Sequence, residues 1–373
     1  MKVVAGWVAG LLLVIGAGAA GEALAGTNTS SGLVPPALYA LISGGPGTHA
    51  LIAQLSPATG GVVRTVETLP LVPQTGIPDS CPMDPIFVDS LANGPNGELW
   101  FDESSGAPCQ PFSRLPSFPD DHCSGTLLRL DPVTGASRAV LRTAPTLALS
   151  GIAPSPDGRM VALVVGPCSV AANQDWILID DLSAGRHWVV GSSAPPCTFM
   201  SSPVWLSDGA HVAVVVTSYQ FYPQVPNRAD TCGGTSATHL ALLPALTPSA
   251  FAAARLVPPI GGGCEDDAIS ASGSVLLVAQ SCGTNDGAID RGSATVRSVT
   301  LDGVLKSTFR LPPRLFVVAL CVRRSSTAVV LAIAQALSPS AFGPSLEIHL
   351  SILRGHRLRE LPLAPSVITA LAC

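Results

Sequence analysis

The feature that most constrains this chain is a repeat. A short apolar run, a tight Gly turn, a second apolar run, a loop, a third run, another Gly turn and a fourth run recur at intervals of about 50 residues. The clearest copy begins at Ser150-Gly151-Ile152-Ala153, turns at Ser155-Pro156-Asp157-Gly158 and continues through Met160–Val165. It then has Trp176–Ile179, a turn at Ser183-Ala184-Gly185, and His187–Val190. Further copies are carried by Val204-Trp205-Leu206 with His211–Val216, by Asp267-Ala268-Ile269 with Val275–Ala279, and by Phe316–Leu320 with Thr327–Ala334. Runs rich in β-branched residues, bounded by Asp-Gly, Asn-Gly or Ser-Gly, read as strands joined by hairpins. Beyond residue 35 no segment shows a convincing helical period. Pro244 and Pro248 argue against a helix in the Ala-rich stretch 241–254.

Four antiparallel strands per unit predict an all-β chain folded as a single β-propeller. The strands are named a to d from the channel outward. Blade two then takes a at Ile86–Ser90, b at Glu98–Asp102, c at Thr126–Asp131 and d at Arg138–Arg142, and blade six ends near Leu361. The chain enters the repeat on Leu38–Ile42, which matches strand b, followed by Ala50–Leu55 and Val62–Leu69 as c and d. Its last run, Val367–Leu371, matches strand a. The C-terminal strand therefore completes the first blade, leaves no open sheet edge, and makes six blades. The alternatives are a seven-bladed ring with one degenerate blade and a pair of β-sandwiches. Apolar residues at 47% and charged residues at 12% supply a core for one large domain and exclude disorder. A net charge of −5 gives no reason to expect nucleic acid or an anionic membrane surface as partner.

The Ser155-Pro156-Asp157-Gly158 turn between two apolar strands resembles the TolB-like and WD-repeat propeller units, and Val204-Trp205-Leu206-Ser207-Asp208-Gly209 is similar to a worn copy of it. The resemblance implies a fold and not a function, because such propellers host binding and catalysis alike. The segment Asn93-Gly94-Pro95-Asn96-Gly97-Glu98-Leu99-Trp100-Phe101-Asp102-Glu103 is similar to the repeat of streptogramin lyase-like propellers, but it occurs once here and no His/Glu catalytic set accompanies it.

The N-terminus reads as an export signal. Lys2 gives a positive start, an apolar stretch runs from Val3 to about Ala20, and Ala23-Leu24-Ala25 is a small-x-small cleavage site. The expected organisation is a signal peptide over 1–25, a flexible segment over 26–36, and the propeller over 37–373; an uncleaved anchor is the alternative. The compartment expected is extracytoplasmic, either secreted or in the cell envelope or periplasm, with no membrane span after cleavage. Asn28-Thr29-Ser30 is a glycosylation sequon that matters only in a eukaryotic secretory host.

All ten cysteines lie after the signal, an even number that favours disulfides. C-x-x-C spacing is absent, which argues against zinc. Cys81 and Cys109 bracket the a–b hairpin of blade two, and Cys264 and Cys282 bracket that of blade five, each nine residues from Gly273. That symmetry puts Cys264 and Cys282 opposite one another across the hairpin, compatible with a bridge. By analogy Cys197 pairs with Cys232 and Cys123 with Cys168, with Cys168–Cys197 as an alternative. Cys321 and Cys373 fall at matching places on strands a of adjacent blades, and the sequence leaves their pairing open.

Those first eight cysteines lie in b–c and d–a connections, which share one face of a propeller. The b–c loops of blade two (Glu103 to Ser124) and blade four (Ser218 to Thr238) are long, and long loops on a rigid scaffold carry function. Cys81-Pro82-Met83-Asp84 and Cys264-Glu265-Asp266-Asp267 share a spacing and lead into strands a of opposite blades, so Asp84, Glu265, Asp266 and Asp267 are placed about the channel mouth. Asp120, Asp121, Asp286 and Asp290 lie in nearby loops, and such oxygen-rich sets suit Ca²⁺, although Asp before a strand also caps turns and acidic loops are ordinarily solvated. Tyr219, Phe221, Tyr222 and Arg228 in the blade-four loop are residue types enriched at binding hot spots, and they serve equally well to pack the loop on its neighbours. Among seven histidines only His122 sits in an acidic loop, and nucleophile-elbow, P-loop and His-Glu-x-x-His motifs are missing. The expectation is a monomeric binding protein without a resident cofactor, holding a protein, peptide or glycan on the disulfide-pinned face. The alternative is a secreted lyase or hydrolase using carboxylates and a divalent metal at the channel mouth.

Overall fold

A computed structural model describes residues 37–42, 49–71, 86–88, 90–105, 123–144, 146–167, 174–222, 231–257, 264–282, 293–313, 315–322, 328–340, 343–362 and 368–373. Among them the strands form four separate four-stranded antiparallel sheets and one ten-stranded sheet, in which two antiparallel groups, units two and three, are joined where Cys123 and Ser124 pair in parallel with Thr146 and Leu147. Unit one is Ile368–Ala372, Leu38–Ile42, His49–Leu55 and Val62–Leu71, in the order a to d. Unit two has an interrupted strand a, Ile86–Phe87 and Leu91–Asn93, followed by Leu99–Ser105, Cys123–Leu130 and Ser137–Arg142. Unit three is Thr146–Pro154, Met160–Pro167, Trp176–Asp181 and Arg186–Ser192. Unit four is Thr198–Trp205, His211–Tyr222, Thr231–Pro244 and Arg255–Val257. Unit five is Cys264–Ser272, Val275–Cys282, Ser293–Thr300 and Leu305–Arg310; unit six is Leu315–Val322, Val329–Ser340, Gly343–Arg354 and Arg357–Glu360. Strands a neighbour one another in cyclic order around an axis, the last of them lying beside both unit six and unit two. This is the all-β propeller architecture.

The core explains why these strands read as unbroken apolar runs. Each unit packs both faces against neighbours, so alternate residues serve alternate interfaces. Along strand b of unit four, Val212, Val214 and Val216 pack with Ile177, Ile179 and Val190 of unit three. Ala213 and Val215 pack with Leu276 and Val278 of unit five. Four further clusters fill the remaining interfaces, including the closing one, where Ala40 and Leu371 meet Val330 and Ile352 of unit six. Burying each such Leu, Ile or Val is worth roughly 1.5–3 kcal/mol.

Turn chemistry fixes the hairpins. In the Ser155-Pro156-Asp157-Gly158 turn, Ser155 Oγ donates to Asp157 Oδ1 at 2.7 Å and accepts from Met160 N–H at 2.9 Å. Asp208 in unit four takes the N–H groups of Ala210 and His211 at 2.8 and 3.1 Å. The Ala-rich stretch holds no long helix: strand c runs to Pro244, and one 3₁₀ turn follows at Phe251–Ala253.

Two sequence expectations change. Strand a of unit two is broken after Phe87 and resumes at Leu91, because Ser90 N–H is taken by the buried Asp102 carboxylate at 2.8 Å instead of by a ladder carbonyl. The b–c loop expected from Ser218 in unit four is instead hairpin: Ser218, Gln220, Phe221 and Tyr222 oppose Ala237, Gly233, Cys232 and Thr231. Only residues 223–230 of that stretch lie outside the described residues.

Candidate functional site

Strands a enclose an axial well of about 660 Å³. Its lining runs from the middle of each strand a to the a–b turns, reaching Asn93, Pro156, Ser207 and Gly273. The described wall is made of small and neutral residues, among them Ser90, Ser150, Ser202, Ser270, Val318 and Thr369. Its two cysteines, Cys321 and Cys373, are joined in a disulfide with Cα atoms 5.8 Å apart. No titratable side chain is among these lining residues. The described wall offers hydrogen bonds and shallow apolar contact.

The carboxyl groups that burial perturbs lie elsewhere. Asp175, in the b–c connection of unit three, is lifted by desolvation to about 6, while its Oδ2 accepts from Met200 N–H at 3.0 Å. Burial also raises Glu103 and Asp180, and burial lowers His239. None of these four lines the well. Among the described residues no group of three His, Cys, Asp or Glu side chains is arranged to hold a metal.

The b–c and d–a face presents a different surface. Tyr219 is 38% exposed on the extended hairpin of unit four. Its N–H donates to Cys197 C=O at 3.0 Å, and its ring meets Phe199 edge-to-face with centroids 5.7 Å apart and planes at 77°. Such a pair adds about 0.5–1.5 kcal/mol beyond its area. Cys197 is buried and disulfide-bonded, with φ of 64°, in the left-handed region that only a few per cent of non-glycine residues adopt. Ser193 at φ 59° and Ser202 at φ 49° belong to the same stretch, so this crossing from unit three to unit four is the strained part of the described backbone.

The structure brings Tyr219 to this face but says less about the other candidates. Phe221 and Tyr222 continue the same strand, and Glu265, Asp266 and Asp267 open strand a of unit five, with a register shift between Asp266 and Ala268. Only their backbone is described. Asp84, Arg228, His122, Asp120, Asp121, Asp286, Asp290, Cys81, Cys109 and Cys168 lie outside the described residues, as does the whole N-terminal stretch 1–36. Cys264 and Cys282 are direct ladder partners, as a hairpin bridge requires. Cys123 opposes Thr146 and Cys232 opposes Phe221. Sequence reasoning missed Phe199, Asp175 and the hydroxyl-lined well. Serines in a short apolar strand carry no signal until the register of that strand is known.

No protein-family model matches the chain, and no curated protein matches it in sequence. Among solved structures it is similar to a Bacteroides caccae protein of unknown function, at 12% identity and TM-score 0.48 over 91% of this chain and 98% of that one. It is also similar to the periplasmic gluconolactonase of Pseudomonas aeruginosa, at 13% identity and TM-score 0.46 over 90% and 98%. A third likeness, to Pyrococcus horikoshii acylaminoacyl peptidase, has 10% identity and TM-score 0.43 over 74% of this chain and 39% of the peptidase. At such identities and scores these likenesses carry no argument about activity or ligand. The class of the protein, a β-propeller, rests on its own strand ladders and their cyclic order.

Proposed function

We propose that this is an extracytoplasmic propeller that binds a protein, peptide or glycan on its b–c and d–a face. The observation that carries the reading is the exposed Tyr219 ring, held edge-on by Phe199 and tied through its amide to the disulfide-bonded Cys197. An exposed aromatic fixed before binding loses little entropy on contact, which is what a hot spot needs. The reading takes Phe221, Tyr222, Arg228, Asp84, Glu265, Asp266 and Asp267 as further candidate contacts, on their place in the sequence alone. The disulfides of Cys197 and of Cys321 with Cys373 suit an oxidising compartment. Among the described residues no helix is long and apolar enough to cross a membrane.

The test is capture from the native cell envelope with the intact oxidised chain, alongside Tyr219→Ala and Ser150→Leu baits. The expected result is a saturable partner retained by Ser150→Leu and weakened at least tenfold by Tyr219→Ala. Equal capture by the wild type and Tyr219→Ala would overturn the assignment of the face.

A further inference from the structure

Every innermost strand of the ring is interrupted at the same level. In unit one the ladder partners step from Leu41–Ala370 to Ile42–Ile368, which leaves Thr369 unmatched. In unit three they step from Val164–Gly151 to Val165–Leu149, leaving Ser150. In unit four, Val215–Ser201 gives way to Ala213–Val204, so Ser202 and Pro203 share one position. In unit six, Val317–Ile333 gives way to Ala319–Ala332, leaving Val318. Unit five skips Asp267 in the same way, and unit two omits the stretch that ends at Ser90. An unmatched residue turns out of the ladder, and a bulge re-aims its side chain. Here Ser90, Ser150, Ser202, Val318 and Thr369 all line the axial well.

Buried polar groups fix three of these bulges from behind. Asp102, which is fully buried, takes Ser90 N–H at 2.8 Å. Ser104 Oγ donates to Leu149 C=O at 2.8 Å and accepts from Leu149 N–H at 3.1 Å, beside Ser150. Asp175 takes Met200 N–H at 3.0 Å, two residues before Ser202. Burying a carboxylate is costly unless it is hydrogen-bonded. Placing two of them to hold backbone beside a cavity is the arrangement of a supported binding shell. The hydroxyls they position keep their own capacity: among the described residues Ser90, Ser150 and Ser202 Oγ make no hydrogen bond to protein, and Thr369 Oγ1 makes one long contact to Leu41 C=O at 3.4 Å.

We infer that the axial well is a second binding site, for a small neutral polyhydroxylated ligand such as a mono- or disaccharide. Its volume falls within the range of small-molecule pockets. Each Ser or Thr hydroxyl both donates and accepts, and so matches a sugar hydroxyl in either role. Val318, which is exposed, offers apolar surface for the C–H face of a ring. The described lining holds no charged side chain, so an ionic ligand would be desolvated without a partner. This site is independent of the partner surface at the other end of the strands.

The test is calorimetry and ligand-observed NMR on the intact oxidised protein with glucose, galactose and maltose as probes. Saturable binding of at least one of them is expected. Thr369→Val, which is nearly isosteric, should weaken it roughly three- to tenfold through the lost hydrogen bond. Ser150→Leu should abolish it by filling the well, and Tyr219→Ala should leave it unchanged. If Ser150→Leu does not fold, Ser90→Ala with Thr369→Val gives the same test. No saturable binding of any probe, binding that these variants leave intact, or binding lost only in Tyr219→Ala would overturn the inference. Because Tyr219→Ala reports on the partner face alone, failure of one site is distinguishable from failure of the other.

Discussion

Replacing Asp175 by Asn isolates one term in the pH dependence of this ring. Asp175 sits where the b–c connection of unit three meets strand a of unit four: its N–H donates to Thr198 C=O at 3.0 Å and its Oδ2 accepts from Met200 N–H at 3.0 Å. Burial, not a charged neighbour, lifts its pKa from 3.8 to about 6. The sign follows from linkage. Between pH 3.8 and 6 the native state holds a proton that the unfolded chain has released, so stability falls as pH rises and the loss is complete above 6. At 1.36 kcal/mol per pKa unit the full loss is about 3 kcal/mol. Asn keeps the acceptor for Met200 N–H and cannot ionise. The Asp175→Asn variant should therefore gain about 3 kcal/mol on the wild type between pH 3.5 and pH 7.5. A constant offset from its amide group cancels in that difference. For a ring of this size about 3 kcal/mol corresponds to roughly 4 °C in Tm. Urea and thermal unfolding of both oxidised proteins at the two pH values measure it. An identical wild-type-to-variant difference at both pH values would refute the argument that this carboxyl is desolvated in the folded ring.

Three further outcomes follow from the same geometry. The Cys321–Cys373 bond closes a 52-residue separation, so Cys373→Ser should cost about 4 kcal/mol and loosen strand a of unit one, read by thermal melting and limited proteolysis. Gly125→Ala should cost about 1–3 kcal/mol in urea unfolding, because the added Cβ would sit 2.5 Å from Leu149 Cγ and 2.9 Å from Leu149 N where units two and three touch. Non-reducing peptide mapping should return Cys264 linked to Cys282, since the two are ladder partners; free thiols at both would contradict that pairing.

The outline of the fold is legible in the sequence where both faces of a strand are covered. Val212 to Val216 is readable because all five side chains are buried, alternately against units three and five. The outward end of the same strand is not. Ser218, Gln220 and Tyr222 read as loop in the sequence, yet their backbone is laddered to Thr231–Ala237. Bulges are hidden for a related reason. A single unmatched Ser150 or Thr369 shifts the alternation by one place in a short strand, which composition cannot distinguish from an ordinary polar position. The Cys321–Cys373 bond needed the distance between neighbouring inner strands, which no spacing along the chain contains.

Ring closure and the axial well share residues. Strand a of unit one is the last five-residue strand of the chain, Ile368–Ala372, laddered to Leu38–Ile42 on one side. Four ladder pairs, the cluster it shares with unit six, and the disulfide to Cys321 hold it in the ring. Thr369 and Cys373 from that strand and Cys321 from unit six all line the well. A ring that loses the bond loses the constraint on the wall as well as on the closure. A ligand spanning the well from Ser150 to Thr369 would add contacts across the same seam, and a ligand that binds only the native state stabilises it by mass action. Sugar binding and resistance of the C-terminal strand to digestion are therefore coupled quantities, and they should rise together in the oxidised protein.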